Sequence, residues 1–106
     1  MIIPTPVETR ALHFLHKHGS ATVREYHEKG DAKDRAYTSI MSLMNVLYDK
    51  GLATRSVEGR AFRYKPTITQ SELRSAAVLN VLDVVFEGDL NALKAAVAAV
   101  KPGKKK

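Results

Sequence analysis

Four short polar side chains, Thr38, Ser39, Ser42 and Asn45, fall within eight residues. Spacings of three and four put such side chains on one side of a helix. Their hydroxyl and amide groups donate and accept hydrogen bonds without net charge. That is the chemistry that reads base edges in a DNA major groove. Cations follow at Arg55, Arg60 and Arg63, and arginine binds phosphate through charge and paired N–H groups. Residues 35–65 hold six basic and two acidic side chains, whereas residues 67–100 hold two basic and four acidic. The last six residues, KPGKKK, add four lysines. That tail reads equally as a solvated terminus and as a non-specific contact to nucleic acid.

These side chains need elements to hold them. Ile40, Leu43, Met44 and Leu47 recur at helical spacing, and Gly51 follows as a stop, so residues 38–50 read as a helix. Before it, Thr22 and Glu25 form a capping box for a short helix over residues 22–29, ended by Gly30. Val23 and Tyr26 face inward, and DAKD makes a polar turn. Val7, Ala11, Phe14 and Leu15 mark a first helix over residues 5–18, with Pro6 in its first turn and Gly19 at its end. After the third helix, residues 52–57 and 60–66 read as a hairpin turning at Glu58-Gly59. Phe62, Tyr64 and Pro66 alternate with Ala61, Arg63 and Lys65. The outer side is expected to carry Arg55, Arg60, Arg63 and Lys65. A second capping box, Thr69 and Glu72, opens a helix from about Gln70 to Phe86. Its apolar residues lie on more than one side, so it needs cover on more than one side. Asp89 caps a last helix with Leu90, Leu93, Val97 and Val100 as its stripe.

The fold expected is mainly α with a small β-hairpin wing: a winged helix-turn-helix over residues 1–68, further helices over 69–101, and a basic tail at 102–106. An α-helix fits the major groove, and wing arginines can reach phosphates or the minor groove, so double-stranded DNA is the first candidate partner. The rival from another class is a winged-helix protein-interaction module without an operator of its own.

Composition narrows the choice. The chain has 106 residues, 44% of them hydrophobic, a net charge of +6 and no cysteine. That length makes one domain. Without cysteine there is no disulfide scaffold, thiolate zinc site or thiol nucleophile. No apolar run spans a bilayer and no leader pattern opens the sequence, so the expected location is the cytoplasm. No G-x-S-x-G, P-loop or G-x-G-x-x-G occurs, so no enzyme and no cofactor are expected. His13, His16 and His18 are spaced by three and two. That spacing does not gather them on one face, and no metal is expected.

The residues also carry a family likeness. AYTSIMSLMNVLYDKGL (Ala36 to Leu52) resembles the recognition-helix signature of the penicillinase repressor (BlaI/MecI/CopY) family, and EGRAFRYKP (Glu58 to Pro66) resembles its wing. GSATVRE resembles the opening of its second helix, and FEGDLNAL the turn between its last helices. The resemblance implies a homodimeric winged-helix repressor on an operator dyad, with DNA contacts falling on Thr38, Ser39 and Ser42, and Asn45 one turn further. It implies pairing through the C-terminal helices, for which Leu73, Leu79, Leu82, Val85, Phe86, Leu90, Leu93 and Val97 are the candidates. Val46 and Asp49 stand where relatives often have basic residues, and His16 where they usually have tryptophan. The Asn-Phe bond cut in some relatives matches Ala96-Val97, and the cysteine-rich tail of copper-responsive relatives has no counterpart. Neither protease cleavage there nor copper is therefore expected to act on this chain, and a role for an upstream sensor or protease stays open.

Overall fold

In the computed structural model, residues 4–30 and 33–101 are described. The KPGKKK tail beyond Lys101, and Asp31 and Ala32 of the DAKD turn, lie outside them. The elements run α1 (Pro6–His18), β1 (Ala21–Thr22), α2 (Val23–Lys29), α3 (Tyr37–Asp49), β2 (Ala53–Glu58), β3 (Ala61–Pro66), α4 (Gln70–Val84) and α5 (Leu90–Ala99).

Local chemistry starts most of the helices. Thr5, Thr22 and Thr69 each accept a bond from the amide of a glutamate three residues on, and Glu8, Glu25 and Glu72 each reach back to the threonine amide. These reciprocal bonds satisfy donors that a helix start otherwise leaves open. Asp89 caps α5 through the Ala92 amide at 3.0 Å. α3 differs: Ala36 precedes it and supplies no side-chain cap.

The core joins Ala11, Leu12 and Leu15 of α1 to Ile40, Met44 and Leu47 of α3, with Tyr26, Tyr64 and Leu73 around them. Glu8 is buried as well, only 5% exposed. Lys50 donates to both of its carboxylate oxygens, at 3.0 and 2.8 Å, and so ties the start of α1 to the end of α3. Burial pushes the Glu8 carboxyl up, but the Lys50 ammonium and the Thr5 amide outweigh it and hold the group below the usual carboxylate value.

The sheet has three strands in the order β1-β3-β2, all antiparallel. β1 was not anticipated; two residues are too short for any periodicity, and Ala21 and Thr22 pair with Tyr64 and Arg63. The hairpin turns at Gly59-Arg60, one residue later than expected, because Glu58 pairs with Ala61. Gly59 leads that turn at φ 63°, a left-handed conformation that glycine adopts without strain. A two-residue turn pairs odd-numbered residues of β2 with even-numbered residues of β3. Arg55 therefore faces with Tyr64 and Phe62, and not with Arg63 and Lys65 as the expected outer side required.

α4 packs on α1. Leu73, a candidate for pairing between chains, is instead buried in this chain's own core and fastens α4 to the winged helix. The helix ends at Val84, before Phe86, and the chain turns through Glu87 and Gly88, both at positive φ. No residue of α5 is buried. The radius of gyration is 15.4 Å, against about 13 Å for a compact domain of this length.

Candidate nucleic-acid interface

α3 buries Ile40, Met44 and Leu47 and exposes Thr38, Ser39 and Ser42. At 100° per residue, the ridge opposite the buried side runs Thr38, Ser42, Asn45, Asp49. It carries no basic side chain and ends on a carboxylate. No side chain caps α3, and while the Ser39 amide already donates to the Ala36 carbonyl at 3.0 Å, the Tyr37 and Thr38 amides stand at the positive end of the helix dipole. The turn before it is pinned by His27, whose Nε2–H donates to the Arg35 carbonyl at 2.8 Å and whose ring meets Tyr37 edge-on.

Asn45 is only half exposed, and its carbonyl oxygen is committed. Arg55 Nη1 and the Tyr64 hydroxyl both donate to Oδ1, each at 2.9 Å. A guanidinium can only donate, so Oδ1 must be the atom that faces it. Asn45 therefore offers only amide N–H groups to an outside partner. The Arg55 guanidinium lies 3.9 Å from the Tyr48 ring centre and 4.2 Å from that of Phe62. Two rings and an amide thus fix one cation beside the exposed ridge. Tyr48 and Phe62 were not anticipated in this role. The strand pairing of Arg55 with Tyr64 is the signal that finds them.

The three wing arginines have different fates. Arg60 is exposed at the turn tip. Arg55 is held as described. Arg63, expected on phosphate, spends its donors inside the chain: on Glu58 at 2.7 and 3.0 Å, on Glu25 at 3.1 and 2.9 Å, and on Ser20 at 3.2 Å. A guanidinium has five N–H groups, and these bonds use all of them. The Arg63 hydrogen bond, aided by the Thr22 amide, holds Glu25 below the usual carboxylate value, and Arg63 does the same to Glu58. The two carboxylates in turn raise the Arg63 value. This cluster joins the wing to α2 and adds no free positive charge. Lys65, on the same strand face, is exposed.

The histidines of α1 separate. His16 Nε2–H donates to the Ile68 carbonyl at 2.6 Å, and the His18 ring lies 4.2 Å from that of Phe14. Among the described residues no helix is long and apolar enough to cross a membrane.

The chain is similar to known proteins in sequence and in fold. The family described as "Penicillinase repressor" matches residues 4–104. Proteins called transcriptional regulator BlaI, from Mycobacterium tuberculosis strains CDC 1551 / Oshkosh and ATCC 25618 / H37Rv, are each 30% identical over 100 residues, covering 77% of this chain and 72% of theirs. The crystal structure of the YusO protein from Bacillus subtilis superposes with a TM-score of 0.58 at 22% identity, over 89% of this chain and 70% of that one. That likeness speaks to the fold alone.

Proposed function

The chain belongs to the penicillinase repressor family, whose members are transcriptional regulators and not enzymes, and we propose that it represses as a homodimer bound to an operator dyad in double-stranded DNA. The observation that carries the reading is the division of α3: its apolar side is buried, while Thr38, Ser39 and Ser42 stand exposed. In this reading α3 enters the major groove. Its open N-terminal amides meet a phosphate, and Ser39, Ser42 and the Asn45 amide meet base edges. Arg60 and Lys65 serve the backbone, and Arg55 lies at the groove edge. Arg63 braces the wing.

Exposed apolar surface on the last two helices supports the dimer. Leu79, Val81, Val84, Val85, Leu90 and Val97 are all exposed. Such a surface calls for a partner, and a two-fold interface pairs it with itself. Leu82, Phe86 and Leu93 are half-buried beside it. Residues 69–101 then form the pairing region and residues 1–68 the reading region.

Selection of binding sites from random duplex tests both halves of the reading. A dyad with half-sites about one helical turn apart is the expected result. No enrichment over random duplex would favour a protein-interaction module. Ser42→Ala is then expected to relax preference at one or two positions per half-site by about 1–3 kcal/mol, with the salt dependence unchanged. Equal weakening on every sequence would make Ser42 a backbone contact.

A further inference from the structure

An open cleft of about 470 Å³ lies between α1, the end of α2 and the first half of α4, away from the exposed ridge of α3. Its volume suits a small molecule. The floor is apolar, made by Phe14, Leu73 and Ala77. Phe14 is steadied by the Tyr26 ring, 5.0 Å away, as well as by His18. The rim carries the cations Arg10, Lys17, Lys29 and Arg74, beside the rings of His13 and His18. Among the described residues no aspartate or glutamate lines it. The fold does not demand this charge, since α1 makes its core contacts through Ala11, Leu12 and Leu15. Like charges gathered on neighbouring turns repel one another, and a bound anion relieves that repulsion.

We propose that this cleft binds a small organic anion, with its acidic group held by Lys17, Lys29 and Arg74 and its apolar body lying on Phe14 and Ala77. The cleft spans the joint between the helix-turn-helix and α4. An occupant therefore bears on the angle between the region that reads DNA and the helices that pair. That consequence rests on the dimeric reading; the binding itself does not.

The test uses the full chain, without DNA, and the fluorescent anion 1-anilinonaphthalene-8-sulfonate. Saturable binding of a single dye per chain is expected, with uncharged N-phenyl-1-naphthylamine at least about tenfold weaker. Lys17→Glu with Arg74→Glu should weaken the dye by about tenfold or more. Ala77→Leu, which fills the floor without touching charge, should weaken it too. Val84→Ser with Val85→Ser should leave it unchanged. Circular dichroism checks that each variant is folded, and Lys17→Gln replaces the double reversal if that one is not. Equal binding of the neutral dye overturns the proposal. So does dye binding lost in the Val84 and Val85 variant but kept in the charge variants, which would place the dye on the exposed helices. Charge variants that are folded and bind the dye as tightly as the unmodified chain overturn it as well. Failure to find an operator leaves all these outcomes readable.

Discussion

The winged helix and the last two helices use the same apolar residues to opposite ends. In α1 and α3 one apolar stripe is buried, with Leu12, Leu15, Ile40, Met44 and Leu47 all essentially inaccessible, although Met41, Val46 and Tyr48 of α3 stay partly exposed beside it. In α4 and α5 the apolar residues outnumber the faces the chain can cover. Val84 is 72% exposed and Val97 64%. A stripe is satisfied within one chain, whereas surplus apolar area is satisfied only by another. The first region owes its stability to intramolecular packing, and the second should owe its order to concentration.

The largest effects should separate the regions. Leu12→Ala removes a fully buried side chain and should lower unfolding free energy by about 2–5 kcal/mol. Chemical denaturation should report the same loss at every protein concentration. Val85→Asp puts a charge on exposed apolar surface, and it should leave the winged helix folded while weakening self-association about a hundredfold, roughly 3 kcal/mol. Sedimentation of the unmodified chain as a stable monomer at micromolar concentration would break the comparison.

An ion pair sharpens it on the side of the winged helix. Glu8 has its carboxyl held below the usual value in the folded chain. Its contribution is therefore complete above the unfolded value, near 4.5, and is lost as pH falls through the lower folded value. Stability should stay level from neutral pH to about 5 and then decline, with Glu25 adding to the slope in the same direction. Lys50→Met leaves the carboxylate buried without its cation and should cost about 1–3 kcal/mol at neutral pH. Most of that loss should disappear once Glu8 is protonated. A loss independent of pH would assign it to packing of the Lys50 stem.

What could be read in advance follows the range of each interaction. The boxes at Thr22 and Thr69, the stripe of α3 and the cap at Asp89 span three to seven residues, and the sequence spacing displays them. Thr5-Pro-Val-Glu8 has the same spacing and forms a third such box. The Glu8–Lys50 pair joins residues 42 apart, and Arg63 reaches Glu25 across 38, with no local pattern to betray either. Arg55 was misplaced because its face follows from hairpin parity, and a strand side chain changes face with each step of register. The exposed ridge of α3 was legible because it is the complement of a clear apolar stripe. The commitments of Asn45 and Arg63 were not, since they depend on the wing folding back.

That division of the wing makes a smaller test. Arg60→Ala should reduce the dependence of DNA binding on salt by about one released ion per site, whereas Arg63→Ala should leave that slope unchanged. Arg63→Ala should act on folding instead, and a lowered slope for it would mean that the clasp opens on DNA.

The smallest expected effect concerns the end of the ridge. Asp49 continues the line of Thr38, Ser42 and Asn45, and at eleven residues from Thr38 it lies about 16 Å along the helix. A carboxylate on that face repels phosphates, but only within reach of the unscreened field. The screening length is about 10 Å at 0.1 M salt and about 30 Å at 0.01 M. If α3 enters the groove by its open N-terminal end, Asp49 stands away from the backbone. Asp49→Asn should then raise affinity about two- to fivefold for every duplex at 0.01 M salt and hardly at all at 0.1 M. A gain that persists at 0.1 M would lay the whole helix flat against the backbone. No gain at either salt would turn the ridge away from DNA altogether, and the division of α3 into a buried and a reading side would lose its meaning.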